Sequence, residues 1–400
     1  MVPDPFDYTA EKRAAIATGK RLADTYDVYH DFPRIKYIQR YTPTCIMVTG
    51  AAGFIGSHVV IRLAKLYAGY RIIAVDKLGY ASNERYITEP LAGCTNFRFV
   101  RADVCDYEFM LQLMLEEQVD TVLHLAAQSH VDLSFVEGGA RQFVQDNVAG
   151  TASLLEAARK RGIGRFIYCS TDEVYGEGSL EDRVEFFEGS LIAPSNPYAA
   201  TKAGADLLAQ AFCRSFGMPV IVTRGNNVYG PHQFYEKVIP KFIAQLKSGR
   251  QVTIHGSGGN TRNFMHVQDT ASAFDCILHS GSVGQVYNIS GRNEKTIVEV
   301  AADILLTLGS EGRCRELVAH VADRAHNDAC YPIAGAKLAE LGWHEEHSWE
   351  FGLANTVAWF SDRLGSRACD VGRFLSAHPS HRASDAPLEP RGRGAGADAA

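Results

Sequence analysis

Three short stretches of this 400-residue chain carry side chains whose types and spacing could do chemistry. The first is Asn196-Pro197-Tyr198-Ala199-Ala200-Thr201-Lys202, where Asn can cap a helix and Pro suits its first position. Tyr198 and Lys202 then stand four apart on one helical face. An ammonium beside a phenol favours the phenolate, so the pair predicts a tyrosine with its pKa brought below about 10 and able to act as a base. The second stretch is Ser170-Thr171-Asp172-Glu173-Val174-Tyr175-Gly176. It ends an apolar run, and the carboxyl ends of strands are where open α/β sheets place ligands. Adjacent acids often do no more than solvate a turn; they divide acid and base roles when their surroundings push their pKa values apart.

The third stretch, Thr49-Gly50-Ala51-Ala52-Gly53-Phe54-Ile55-Gly56-Ser57, follows a predicted strand and opens a predicted helix. Glycine there permits a sharp turn and lets a diphosphate approach unpaired backbone amides at the positive end of the helix dipole. About twenty residues on, Asp76 ends the next strand, placed to hydrogen-bond a ribose 2′-hydroxyl and to repel a 2′-phosphate. The expected cofactor is therefore NAD rather than NADP.

The elements that must position these groups alternate. Predicted strands are 45–48, 71–75, 97–100, 121–125, 165–170 and 219–223; predicted helices are 57–68, 107–118 and 148–161. This alternation predicts an α/β fold, a Rossmann-like doubly wound parallel sheet covered on both faces. Residues 1–44 read as an extension with one weak helix over 10–26, and 45–230 as the nucleotide domain. Residues 231–365 read as a smaller α/β substrate-binding region, and 366–400 as a disordered Ser/Pro/Arg/Gly/Ala tail.

The G-x-x-G-x-x-G spacing resembles the short-chain dehydrogenase superfamily. The Thr171-Asp172-Glu173 triplet resembles its extended branch of nucleoside-diphosphate-glucose 4,6-dehydratases; epimerases of that branch lack the acid pair. His130-Val131-Asp132, Arg224-Gly225-Asn226-Asn227-Val228-Tyr229-Gly230-Pro231, Glu236-Lys237, Ile254-His255-Gly256, Arg262-Asn263-Phe264 and Tyr287-Asn288-Ile289 extend the resemblance over roughly 45–362. The Asn-Asn-Val-Tyr-Gly-Pro run and His255 are most similar to the UDP-glucose 4,6-dehydratase domain of plant-type rhamnose synthases, with the dTDP-glucose enzymes as the alternative. The resemblance implies catalytic roles for Thr171, Asp172, Glu173, Tyr198 and Lys202. It implies cofactor contacts from Gly50, Gly53, Phe54, Ile55, Gly56, Asp76, Lys77, Asp103, Val104, Leu125 and Ala127, besides Tyr198 and Lys202. Substrate contacts would come from Ser129, Thr171, Asn227, Lys237, His255, Asn288 and two diphosphate clamps, Arg262 and Arg324. It also implies a homodimer and a separate downstream epimerase/reductase. Three residues depart from the family pattern: Cys330 in place of Arg, Tyr235 in place of Pro, and Asp146 in place of Thr or Asn.

Composition narrows the field. The formal net charge is −6, and no basic stripe points to nucleic acid. No apolar run approaches a membrane span of roughly 18 residues, and the first residues lack a signal-peptide or transit-peptide pattern. Nine scattered cysteines without a C-x-x-C pair predict neither a disulfide framework nor a metal centre, and a cytoplasmic location. His344-Glu345-Glu346-His347 has i,i+3 rather than i,i+4 spacing and is expected to be a polar surface turn. Two rival readings remain: a UDP-sugar 4-epimerase sharing NAD, Tyr198 and Lys202, and a non-catalytic NAD or sugar-nucleotide sensor.

Overall fold

A computed structural model describes residues 4–33, 36–182, 184–323 and 328–366. The predicted tail from 367 onward and Arg324 lie outside the described residues. The strands are β1 (Cys45–Thr49), β2 (Arg71–Asp76), β3 (Phe97–Arg101), β4 (Thr121–His124), β5 (Arg165–Thr171), β6 (Val220–Gly225) and β7 (Asn227–Tyr229). They continue with β8 (Val252–His255), β9 (Thr261–His266), β10 (Val286–Ile289), β11 (Asn293–Thr296) and β12 (Val318–Val321). Seven of them form one parallel sheet in the order β10-β6-β5-β4-β1-β2-β3.

Why the inner strands read as unbroken apolar runs is plain from their burial. All five residues of β1 are buried, with Ile46 and Val48 on one face of the sheet and Cys45 and Met47 on the other. Both faces carry helices, so neither can be polar. The first face packs the helices Phe54–Leu66 and Val267–Ser280; the second packs Tyr107–Glu116, Gly150–Arg161 and Pro197–Phe216. The order reverses between β1 and β4, which opens a crevice at the strand carboxyl ends beside Thr49, Asp76 and Thr171.

Several expectations need correction. The boundary at residue 230 does not divide the fold: the chain leaves the sheet after β6, builds a small lobe, and returns with helix Val267–Ser280 and β10. The small lobe has its own core around Phe242, Ile254, Ile304, Trp349 and Leu353. The helix expected over 148–161 continues an earlier one, Gly139–Phe143, through a π-helical turn at Val144–Ala149. Such turns recur at functional sites, and this one turns Asp146 and Asn147 inward.

The extension is docked rather than appended. Its helix Ala10–Ala23 lies so close to helix Trp349–Ser366 that a Cβ on Gly19 would overlap the Glu350 carbonyl. Further on, Tyr37 Oη donates to Asp275 Oδ1 at 3.1 Å, and the backbone amides of Arg40 and Tyr41 donate to His279 O. The segment 344–347 is not a simple surface turn. His344 and Glu346 are exposed, but Glu345 is buried under Arg292 and Asn293, and His347 faces Asp269. No helix among the described residues is long and apolar enough to cross a membrane.

Candidate active site

Burial and hydrogen bonding assemble the predicted cofactor-binding and catalytic groups in one cleft of about 340 Å³ at the switch point. Gly50 adopts φ +68°, and a Cβ on Gly56 would overlap the Gly50 carbonyl oxygen, so this turn needs glycine at both positions. Gly53 is the N-cap of helix Phe54–Leu66 and offers no side-chain acceptor, which leaves the first-turn amides without a side-chain partner there. Asp76 Oδ2 accepts from Ala52 N at 3.0 Å and Oδ1 from Leu78 N at 2.8 Å, which fixes the carboxylate at the end of β2. Phe54, Ile55, Lys77, Asp103, Val104, Leu125 and Ala127 line the same chamber. Glycine cradle, free helix terminus and fixed carboxylate together fit a dinucleotide such as NAD.

Lys77 Nζ donates to Asp146 Oδ1 at 2.7 Å and to Asp103 Oδ2 at 3.4 Å. Asp103, Cys105 and Asp146 are grouped closely enough to resemble metal ligands, but the lysine ammonium already sits on the two carboxylates.

The reacting groups converge from β5 and helix Pro197–Phe216. Asp172 is buried at 3% exposure; Oδ1 accepts from Thr171 Oγ1 at 3.1 Å and Oδ2 from Asn226 Nδ2 at 2.7 Å. Burial, and then the Glu173 charge, push its carboxyl up to about 7. Glu173 is also raised by burial but is held back by Asn196 Nδ2, which donates to its Oε2 at 3.1 Å. The two acids therefore differ in surroundings as well as in position, which is the condition for split roles.

Tyr198 and Lys202 are both buried on the expected helix face. The expected lowering of the phenol is not found. Burial first, then the neighbouring Glu173 charge, push Tyr198 well up, while hydrogen bonding with Thr171 pulls it down. Burial also lowers Lys202, whose Nζ donates to Cys169 O at 2.6 Å and lies 4.6 Å from the Tyr168 ring centre. A dry site that penalises every charge outweighs one ammonium.

A second chamber adjoins the first and shares Ser129, Glu173, Asn227, Glu236 and Lys237 with it. His255 and Arg262 line it; Arg262 Nη1 donates to Thr261 O at 2.7 Å, and its guanidinium lies over Tyr331 at 4.8 Å. Lys237 Nζ donates to Ser129 O at 2.8 Å. Asn288 is corrected: it is fully buried away from both chambers. Its Oδ1 accepts from Tyr175 Oη at 2.8 Å, and its Nδ2 donates to Phe186 O and Ala334 O. It ties the turn at 172–175 to β10 and has no polar atom to spare for a ligand.

Three residues escaped the sequence reading. Asn147 exchanges hydrogen bonds with the backbone of Gln128, 2.8 Å and 3.1 Å, and donates to Thr201 Oγ1, fixing the loop that carries Ala127 and Ser129. Asn226, quoted within a motif but given no role, anchors Asp172. Asn196, read only as a cap, also holds Glu173. Of the departures, Asp146 pairs with Lys77, Cys330 is buried against Gly178, and Tyr235 packs edge-on against Phe360.

A doubly wound sheet with a glycine cradle at its switch point and a Tyr/Lys pair four residues apart is the architecture of the extended short-chain dehydrogenases. The chain belongs to the NAD dependent epimerase/dehydratase family, whose model matches residues 46–290. It is 45% identical over 340 residues to an Arabidopsis thaliana trifunctional UDP-glucose 4,6-dehydratase/3,5-epimerase/reductase, covering 85% of this chain but only 50% of that protein. It is 44% identical over 318 residues to the Mus musculus dTDP-D-glucose 4,6-dehydratase, covering 79% of this chain and 88% of that one. The Streptomyces venezuelae dTDP-glucose 4,6-dehydratase, solved with NAD bound, superposes with a TM-score of 0.75 at 38% identity, over 80% of this chain and 98% of that chain.

Proposed function

We propose that this chain is an NAD-dependent nucleoside-diphosphate-glucose 4,6-dehydratase, acting on UDP-glucose to give UDP-4-keto-6-deoxyglucose. The observation that carries the reading is the pair of adjacent acids in the cleft, buried Asp172 with its carboxyl raised to about 7 and half-buried Glu173 bonded to Asn196. An epimerase would have no use for this pair.

NAD, when bound, supplies the hydride acceptor and later donor, together with a positive charge that the buried phenol lacks in the chain alone. Tyr198 takes the proton of the sugar 4-hydroxyl, and Thr171, bonded to the phenol, holds the 4-oxygen. With C4 a ketone, the C5 proton is acidified and Glu173 removes it. Asp172, protonated because burial and its neighbour disfavour a second charge, donates to the departing 6-hydroxyl, and water leaves. Bound NAD would supply the hydride returned to C6, with a proton returned to C5, and so would end the turnover in its starting oxidation state. Ser129, Asn227, Lys237, His255 and Arg262 face the substrate, with Arg262 suited to phosphate oxygens.

The preference for UDP rests on the sequence of the Asn226–Pro231 run and on His255 in the second chamber. Arg224, within the same motif, is instead buried in an ion pair with Asp206 at 2.9 Å. A homodimer through the helices Gly139–Arg161 and Pro197–Phe216 is part of the proposal, supported by exposed Val144 and Leu207 on those elements. The 4-keto product is a substrate for a separate epimerase/reductase.

Incubation with UDP-glucose and with dTDP-glucose in separate reactions, followed by product mass, tests the reading. Loss of one water from UDP-glucose is expected; an unchanged mass with an inverted C4 would indicate epimerisation. Glu173→Gln should retain NAD and lose about 10²–10⁴-fold in kcat. A wild-type rate in that variant would remove Glu173 from the reaction.

A further inference from the structure

The loops that wall the cleft are rooted far apart. One follows β2 and carries Tyr80; the other follows β7, close to the end of β6, and carries Phe234 and Glu236. In the sheet, β2 and β6 are separated by β1, β4 and β5, so their carboxyl ends lie about 19 Å apart at roughly 4.8 Å per strand. Yet Tyr80 Oη donates to Glu236 Oε1 at 3.0 Å, and the Tyr80 and Phe234 rings meet edge to face at 5.4 Å. A contact between loops so rooted has to cross the crevice in which the strand ends present Asp76 and Thr171.

Each loop is braced for this reach. The first bends at Leu78, at φ +59°, where the backbone N–H donates a hydrogen bond to Asp76 Oδ1 at 2.8 Å. A non-glycine residue in that region is uncommon and is kept there only by its surroundings. The second is pinned at His232, also left-handed at φ +72°. That ring stacks on Tyr86 at 4.2 Å and shares hydrogen bonds with Ser57 Oγ at 2.8 Å and Tyr29 Oη at 2.9 Å. Ser57 belongs to the first turn of the helix that begins at the glycine cradle. The anchored base of the second loop thus sits on the cofactor lobe, while its tip is held by Tyr80 on Glu236 and by the adjoining Lys237, which donates to Ser129 O at 2.8 Å.

We propose that Tyr80 and Glu236 form a latch across the cleft that retains the dinucleotide through the catalytic cycle, making Tyr80 a positioning residue rather than a catalytic one. The proposal rests on the reading of the protein as a dehydratase that recycles its cofactor. Such an enzyme loses a turnover whenever reduced cofactor escapes between hydride removal from C4 and its return to C6. A hydroxyl donating to a carboxylate across two loops is a bond that a closed cleft can keep and an open one cannot.

The test follows exchange of protein-bound NAD against added isotopically labelled NAD, together with NADH absorbance during turnover. Tyr80→Phe keeps the ring on Phe234 and removes only the hydroxyl. It should exchange cofactor about tenfold faster than wild type and release NADH into solution, as wild type does not. Glu236→Ala should do the same, and the double variant should exchange no faster than the quicker single one. Should Tyr80→Phe fail to fold, the Glu236→Ala exchange rate decides alone. Wild-type exchange in the folded variants, or additive acceleration in the double one, would overturn the latch. Product of unchanged mass from the wild type would instead refute the dehydratase reading, and the exchange rates would still report on the latch.

Discussion

Asn196 uses both ends of its carboxamide at once: Oδ1 accepts from Ala199 N at 2.8 Å, capping helix Pro197–Phe216, while Nδ2 donates to Glu173 Oε2 at 3.1 Å. One side chain therefore sets the start of the helix that carries Tyr198 and Lys202 and the direction of the neighbouring acid. The two functions can be separated. Asn196→Ser keeps a capping oxygen but is too short to serve Glu173; Asn196→Ala loses both. The alanine variant should lose about 1 kcal/mol in denaturant unfolding and the serine variant a few tenths. Both should lose at least tenfold in kcat with KM nearly unchanged. If the serine variant recovered wild-type kcat, Glu173 would not depend on Asn196.

The raised carboxyl of Asp172 makes a prediction about pH. Folding lifts it from 3.8 to about 7, by burial first and the Glu173 charge second. Between those values the folded chain keeps a proton that the unfolded chain gives up. The associated stabilisation is complete below 3.8 and disappears as pH climbs through about 7. Asp172→Asn, which cannot ionise, should therefore gain on wild type in thermal stability as pH rises from 5 to 8. Wild-type kcat should fall on the alkaline side as the acid ionises. Parallel stability curves for the two proteins across that range would contradict the assignment.

The parts of this molecule visible in sequence are those whose signal is local. Cys45–Thr49 is buried on both faces and reads as an apolar run; the glycine turn needs its glycines within seven residues; Tyr198 and Lys202 are one helical turn apart. What stayed hidden depends on distant partners. Val286–Ile289 could pair with any edge, and only its bonding to β6 puts it in the main sheet and turns Asn288 toward Tyr175. The π-helical turn that brings Asp146 to Lys77 has no sequence period of its own. Beyond its helix, the extension is held by scattered contacts such as those of Tyr37 with Asp275 and His279, more than 200 positions away, which leave no pattern to read. The phenol shift went the other way because burial, and then the charge of Glu173, raise it, and neither is visible in a helix-face argument.

That extension should contribute measurably to the fold. Arg62 Nε and Asp275 Oδ2 form an ion pair at 2.7 Å, almost fully buried at 3% and 1% side-chain exposure. Residues 29–33 and 36–41 cover it: Arg62 Nη2 donates to Pro33 O, and the Tyr37 and Tyr67 hydroxyls both donate to Asp275 Oδ1. Removing one partner of such a pair strands the other charge, so Asp275→Ala should cost about 3–5 kcal/mol. Tyr37→Phe should cost about 1 kcal/mol. Denaturant midpoints at constant slope measure both. An unaltered midpoint for Tyr37→Phe would mean that this segment only rests on the helices beneath it.

Two glycines on helices near the cleft should respond in opposite ways to alanine. At Gly56 an added methyl would enter the Gly50 carbonyl oxygen, backbone of the turn that has to fold tightly under the dinucleotide. That oxygen cannot move without unwinding the turn, so Gly56→Ala should destabilise the protein by roughly 1–3 kcal/mol and leave it purified without bound NAD. Gly204 lies inside helix Pro197–Phe216, and the nearest atom to its Cβ position is Val148 Cγ2 at 3.7 Å, an ordinary contact. There alanine removes backbone entropy from the unfolded chain and adds no clash, for a gain of about 0.5–1 kcal/mol. Melting temperature and the 260/280 nm absorbance ratio of the purified variants give both answers. Equal behaviour of the two substitutions would show that the tight approach at Gly56 does not govern the cradle.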